Sequence, residues 1–402
     1  MTRTSSPQSA PPPTDPGRRR WMAALGAAPA LAAAAGSARA DTVKTRAHIV
    51  IAGSGLGGIA VANRLSKRLD GARITIVDAK EVHNYQPGYT LVATGVWPID
   101  KVSDRNADFH PHGIEWVKEM VAEFAPDTNT VVTTGGRKIA YDFLIVATGV
   151  HLDYAQIEGM DLKAIGSNGL GSVYPNAEAA LATWNAMDTF RAKGGAAVMT
   201  LPATPLKCAG APLKMTFMLR DRLHQAGTLK DSRVTFHSAL SNVFGVKAVN
   251  DNVLQRWKDL GIGVEYTQKL VGVDIGARKA VFANPEGERS TVSYDYLHVV
   301  PPMRAPDAVK NSPLAWKDGP FAAGGWLEVD KGTLQHRRYP NVFGLGDING
   351  TPRGKTAATV KKSAPIVADN LVQVIAGRSP AETFDGYTSC PLIVREGSAM
   401  LI

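Results

Sequence analysis

The feature that most constrains this chain is a glycine-rich turn between an apolar strand and a helix. His48-Ile49-Val50-Ile51-Ala52 reads as a buried strand running straight into Gly53-Ser54-Gly55-Leu56-Gly57-Gly58. Residues 59–69 follow with apolar side chains at helical spacing, and Arg73-Ile74-Thr75-Ile76-Val77-Asp78 is a second strand ending in an acid. This is the β-α-β unit that binds a dinucleotide. Gly53 makes the turn, Gly55 lets the backbone approach a pyrophosphate, and Gly58 lets helix and strand pack closely. The helix N-terminus faces the phosphates, and Asp78 accepts from a ribose hydroxyl.

Two later stretches extend the plan. Residues 141–149 form a strand leading into Ala147-Thr148-Gly149, and residues 339–347 end a strand in Gly346-Asp347. They resemble the domain crossover and the ribityl-binding aspartate of two-dinucleotide flavoproteins, which points to FAD over NAD. Between them, residues 176–194 read as a helix and 196–201 as a strand opening a second nucleotide-binding unit. Its turn is Leu201-Pro202-Ala203-Thr204-Pro205-Leu206-Lys207-Cys208. Two prolines and no glycine remove N–H donors and close the approach a pyrophosphate needs. A strand over 233–238, a helix over 251–260 and strands over 264–266 and 271–275 continue the alternation. The expected class is α/β with two Rossmann-like dinucleotide-binding domains. The FAD domain is discontinuous, over 41–155 and 301–385, and the second domain, 156–300, is degenerate for NAD(P)H.

Five arginines against the single acid Asp15 in the first 40 residues supply much of the net charge of +9. The remaining basic residues are scattered, which argues against a nucleic-acid partner. Arg18-Arg19-Arg20, an Ala/Leu-rich run and Ser37-Ala38-Arg39-Ala40 read as a twin-arginine signal peptide over 1–40, implying a periplasmic protein. The two cysteines, Cys208 and Cys390, both sit among Gly and Pro. In an exported chain they form either a structural staple or a labile redox bridge. No His/Cys cluster at zinc spacing is present, so no metal is expected.

From Ala47 to Ile402 the chain resembles the sulfide:quinone oxidoreductases, in the two-cysteine branch that includes the mitochondrial enzyme. The resemblance is carried by Asn84 to Val92, Pro205 to Lys214, Leu297 to Met303, Val329 to His336, Lys355-Thr356-Ala357-Ala358 and Gly386 to Leu392. It implies FAD, attack of hydrogen sulfide on a Cys208/Cys390 disulfide, and electrons passed to ubiquinone or a similar quinone. Flavin contacts implied by the motifs are Gly57, Asp78, Gln86, Val121, Asp347 and Lys355, beside the loop glycines Gly53, Gly55 and Gly58. In the implied scheme HS⁻ attacks Cys390, leaving a persulfide, and the freed Cys208 thiolate reduces the flavin. A sulfur acceptor (sulfide, sulfite or a thiol) then re-forms the bridge. Lys207, Lys214 or the Lys361-Lys362 pair are candidates to stabilise a thiolate. Residues 386–402 carry Cys390 and stop short of the family's tail, which is implied to supply peripheral membrane attachment. A cytochrome c acceptor, as in the flavoprotein subunit of a sulfide dehydrogenase, is therefore the alternative. Gln86-Pro87-Gly88-Tyr89 replaces a C-x-x-x-x-C pair and excludes glutathione-reductase-like chemistry.

Overall fold

Strand β1 (His48–Ala52) is buried at every position, so it can only lie inside a sheet covered on both faces. The computed structural model describes residues 42–402; the leader expected over residues 1–40 lies outside them. Helix α1 (Leu56–Arg68) follows, then strands β2 (Arg73–Val77), β3 (Glu115–Val117) and β4 (Phe143–Val146). α1 starts three residues earlier than the apolar spacing predicts, because Leu56, Gly57 and Gly58 are already helical. The helix N-terminus therefore lies inside the glycine motif.

The middle of the chain runs β5 (Leu170–Gly171), α2 (Ala177–Lys193), β6 (Gly195–Leu201), α3 (Ala211–Ala226) and β7 (Ser232–Ser238). It continues through α4 (Lys247–Leu260), β8 (Gly263–Glu265) and β9 (Tyr296–His298). The last part holds β10 (Val342–Gly344), α5 (Ala357–Ile375) and a hairpin of β11 (Pro391–Arg395) and β12 (Ser398–Leu401). α2 keeps to its predicted span: the Asn176 side chain accepts from Ala179 N–H at its start, and Gly194 closes it.

Two parallel sheets result, ordered β10-β4-β1-β2-β3 and β5-β9-β6-β7-β8. β10 returns to the sheet that β1 begins, which is the discontinuity expected from the sequence. Alternation along β1 sends Ile49 and Ile51 into one core with Val61 and Leu65 of α1 and Leu371 of α5. Val50 and Ala52 face the opposite core, with Phe124, Val131 and Ile139 of a three-stranded antiparallel meander. The second sheet is covered by α2, α3 and α4 through Met187, Phe217 and Trp257, and on its other face by Leu270 and Phe282 of a second meander. Each such side chain contributes about 1.5–3 kcal/mol on burial. A ribbon of His151–Leu152 against Met303–Arg304 joins the halves, and Arg304 Nε donates to Asp153 Oδ2 at 2.9 Å.

Two glycines are obligatory. Gly53 has φ +114°, and a Cβ there would lie 2.3 Å from the Ala147 carbonyl oxygen. A Cβ on Gly58 would lie 1.9 Å from the Gly53 carbonyl oxygen. Gly58→Ala is therefore expected to push α1 off β1 and cost about 1–3 kcal/mol. Urea unfolding of the variant against the parent checks this, and an unchanged midpoint would remove the close-packing role of Gly58.

Candidate active site

The C-terminal ends of β1, β2 and β10 gather most of the predicted cofactor residues. Gly55 caps α1 without a side-chain hydrogen bond, and no acid occupies the first turn. A Cβ at Gly55 would meet nothing within 4 Å. The positive end of the helix is thus open to an anion. Asp78 is buried behind it, and its Oδ2 accepts from Ser54 N–H at 2.7 Å while Oδ1 accepts from Lys80 N–H at 2.9 Å. Asp78 therefore braces the glycine turn as well as ending β2. Sequence reading missed the next layer: Ser54 Oγ bonds His110 Nε2 at 2.6 Å and accepts from Asn106 Nδ2 at 2.8 Å. His110 lies 56 positions from Ser54, and no local pattern marks it.

Asp347 lies three residues beyond the end of β10. Burial pushes its carboxyl above the usual range, and Lys355 and Lys207 partly offset that. Lys355 is buried, and its Nζ donates to the carbonyls of Asp347 at 2.6 Å and Asn349 at 2.9 Å. It also lies 3.9 Å from the Trp326 ring centre. Burial pulls both Lys355 and Lys207 down to about 8. Thr148 Oγ1, beyond β4, and Asn349 Oδ1, beyond β10, are buried without partners. Buried polar atoms normally have partners. Thr148 lies against the Gly53 turn, and an orphaned hydroxyl there, with an open helix N-terminus, fits a bound dinucleotide with hydroxyls and phosphates. Gln86, exposed in a turn at 86–88, and Val121, first in its meander strand, share no hydrogen bond with this group.

The turn after β6 brings the cysteines to the same region. Lys207 pairs with Lys355 in a parallel bridge, and Cys208 N–H donates to the Lys355 carbonyl at 2.8 Å. The β11–β12 hairpin lies along α3 and places Cys390 Sγ 3.8 Å from Cys208 Sγ, both as free thiols. A Cβ on Gly210 would come within 3.2 Å of Cys390 Sγ, so a larger residue there would crowd the pair. Of the candidate lysines, Lys214 reaches the sulfurs: it is 2% exposed and its Nζ donates to Cys208 Sγ at 3.6 Å. Lys207 interacts more strongly with Asp347 than with Cys208, and Lys362 lies over the Tyr387 ring. The Cys390 hydrogen bond, then Lys214, draw the Cys208 thiol down to about 6 against burial. Cys390 is pushed up by its bond to Cys208 and by burial. One thiolate, on Cys208, shares the proton of Cys390 and the charge of Lys214.

The pyridine nucleotide-disulphide oxidoreductase family matches residues 47–200. The mitochondrial sulfide:quinone oxidoreductase of Mus musculus is 36% identical over 88% of this chain and 76% of its own. That of Dictyostelium discoideum is 38% identical over 87% and 76%. This chain belongs to the sulfide:quinone oxidoreductase family. In fold it is similar to the solved sulfide:quinone oxidoreductase of Aquifex aeolicus, with TM-score 0.69 at 24% identity over 82% of this chain and 77% of that one. Both curated relatives are mitochondrial by name, which overturns the periplasmic, twin-arginine reading of residues 1–40. The leader misled because a stretch rich in Arg and Ala and poor in acids is also the composition of a mitochondrial transit peptide.

At the thiol pair, Lys214 is the buried cation beside Cys208 and adds to the Cys390 hydrogen bond in favouring its thiolate. In the reduced protein, alkylation of Cys208 by iodoacetamide should rise with pH to a plateau reached below the pH that an ordinary thiol needs. In Lys214→Met the inflection should move up by about one to two pH units. A profile that does not move would show that Lys214 does not hold the thiolate.

Proposed function

We propose that this chain oxidises hydrogen sulfide to sulfane sulfur through the Cys208/Cys390 pair and passes the electrons by way of FAD to a quinone. The observation that carries this is the 3.8 Å separation of the sulfurs with Lys214 beside one of them. A structural staple has no use for a buried cation next to one sulfur. A bridge that must open does, because the better leaving group is the thiolate of lower pKa. HS⁻ attacks Cys390 of the oxidised pair, a Cys390–S–SH persulfide forms, and the S–S bond breaks to leave Cys208 as a thiolate facing Lys214. A second nucleophile, sulfide, sulfite or a thiol, takes the sulfane sulfur and returns Cys390 to a thiolate. Closing the bridge again releases two electrons. FAD held at the dinucleotide site would supply the two-electron acceptor that closing the bridge needs.

The residues assigned to hold FAD are Gly53, Gly55, Gly57 and Gly58 at the pyrophosphate, Asp78 and Val121 toward the adenosine end, and Gln86, Asp347 and Lys355 toward the flavin end. Residues 41–155 and 301–385 form the flavin-binding domain, 156–300 the domain carrying Cys208, and 386–402 the segment carrying Cys390. No described helix is long and apolar enough to cross a membrane. Peripheral attachment beside a quinone pool is the arrangement this reading requires.

Anaerobic sulfide should bleach the flavin of the purified holoenzyme, and a soluble ubiquinone analogue should restore its colour. In Cys208→Ser and Cys390→Ser the bleaching should slow by at least about a hundredfold. If either variant bleaches at the parental rate, the thiol pair is not the entry point for sulfide. Recovery with cytochrome c but not with the quinone analogue would reassign the acceptor.

A further inference from the structure

The hairpin that carries Cys390 is held at its far end by a buried arginine. Arg222 lies on α3, the helix that begins just after Cys208, and its side chain is 8% exposed. Its Nη1 donates to Glu396 Oε2 at 2.7 Å, and Glu396 sits in the turn between β11 and β12. The neighbouring Asp221 accepts the Glu396 backbone N–H at 3.0 Å. Arg222 is also fixed from three other directions. Its Nε donates to the Thr94 carbonyl at 2.8 Å, Nη1 reaches Gln225 Oε1 at 2.7 Å, and the guanidinium lies 5.7 Å from the Trp184 ring centre. Arg222 therefore cannot swing to follow the hairpin; the hairpin turn must come to it.

The two ends of this arrangement are matched in length. From Ala211 to Arg222 the helix advances about 17 Å. From Cys390 to Glu396 an extended strand advances about 20 Å, less where it twists. The hairpin thus lies along α3 with its cysteine at one end and its carboxylate at the other. Between them, Leu392 is fully buried against the α3 core, and Val394, Met400 and Ile402 pack on it. Apolar contact is non-directional and does not by itself specify where along the helix the hairpin stops. The Arg222–Glu396 contact does, and among the described residues it is the hairpin's one ion pair. A buried guanidinium keeps its partner closely, because losing it leaves an uncompensated charge.

We propose that Arg222 is a positioning residue for the thiol pair: by gripping Glu396 it fixes the hairpin's register on α3 and so sets how readily Cys390 closes on Cys208. The inference rests on the redox reading above. In the test reaction the Cys208–Cys390 bond breaks as two glutathione molecules are oxidised. Their two electrons and two protons appear on the two cysteine thiols, and one glutathione disulfide forms.

The holoenzyme would be equilibrated anaerobically in glutathione buffers of stepped reduced-to-oxidised ratio, quenched with iodoacetamide and weighed intact. With two cysteines in the chain, the added mass reads this pair alone. The parent should bridge, and Arg222→Met should open at a ratio about tenfold less reducing. Glu396→Gln, which keeps the shape and removes the charge, should shift the same way by more than threefold. Arg222→Lys should fall between parent and Arg222→Met, since it keeps the charge and loses the fork. Glu328→Gln, which breaks the Arg338–Glu328 pair in the other domain, should stay within threefold of the parent whatever its thermal midpoint. If Arg222→Met does not fold, Glu396→Gln decides, because its carboxylate is half-exposed. A parent that bridges together with a Glu396→Gln midpoint within threefold of it overturns the positioning role. A parent that never bridges overturns the redox reading itself, and this inference with it.

Discussion

One short stretch of backbone pairing holds the reactive part of this molecule together. Lys207 and Cys208 lie after the second sheet's first Rossmann strand, while Lys355 lies after β10 of the first sheet. The Lys207–Lys355 bridge and the Cys208 N–H to Lys355 carbonyl bond fasten one to the other. Through that contact the thiols stand beside the same turn that carries Asp347 and the orphaned Asn349. It works beside the crossover ribbon and the packing of Tyr89, Val92 and Val102 into the core of the second half, and it is the link that lies at the sulfurs themselves. An enzyme that moves an electron pair between a thiol pair and a ring needs that link more than it needs any single side chain.

The electrostatics follow from the same packing. Lys207, Lys214 and Lys355 all converge on this contact, and burial makes each cation expensive to keep. The molecule answers in two ways. Lys207 and Lys355 are drawn down to about 8 by burial, which the nearby Asp347 carboxylate only partly offsets. Lys214 is pulled down by burial but held above its ordinary range by the two sulfurs. Lys214 therefore stays charged where a thiolate has to form. The division comes from partners, since burial acts on all three.

Much of this was legible in the sequence, for definite reasons. The β1-turn-α1 unit announced itself because apolar run, glycine spacing and terminal acid all agree, and agreement across levels is what marks a specified structure. α2 was placed by its cap at Asn176 and its glycine at 194. By contrast α3 gave no amphipathic stripe, because it is buried at most positions, while α5 does carry a buried stripe through Val360, Ala364, Val367 and Leu371 but has Pro365 inside it, which reads as a helix breaker. A helix buried all round cannot be told from other apolar runs by periodicity. The thiol pair was legible from the motifs around each cysteine, whereas Arg222, Glu396, His110 and Asn106 were not. Each of these acts on a residue tens of positions away or more, through a tertiary contact that leaves no local spacing to read. The localisation failed for the opposite reason, since one composition serves two addresses.

The turn at Cys208 shows how a nucleotide-binding half was converted. Cys208 has φ +49°, in the left-handed region where glycine is at ease and other residues are strained by about 1–3 kcal/mol. The strain is held by the Lys355 bond on its N–H and by Ala211 N–H and the Tyr174 hydroxyl on its carbonyl, at 2.8 and 3.4 Å. A glycine would relieve it, but a glycine carries no sulfur. What survives is the helix end itself: the Ala211 N–H at the start of α3 is one of the groups that lower the Cys208 thiol. The field that suits a phosphate at a helix N-terminus suits a thiolate equally well. A turn without glycine at the start of α3 thus still presents an anion site, and the anion it suits is a thiolate, so the second sheet needs no change in its strand order to carry sulfur chemistry.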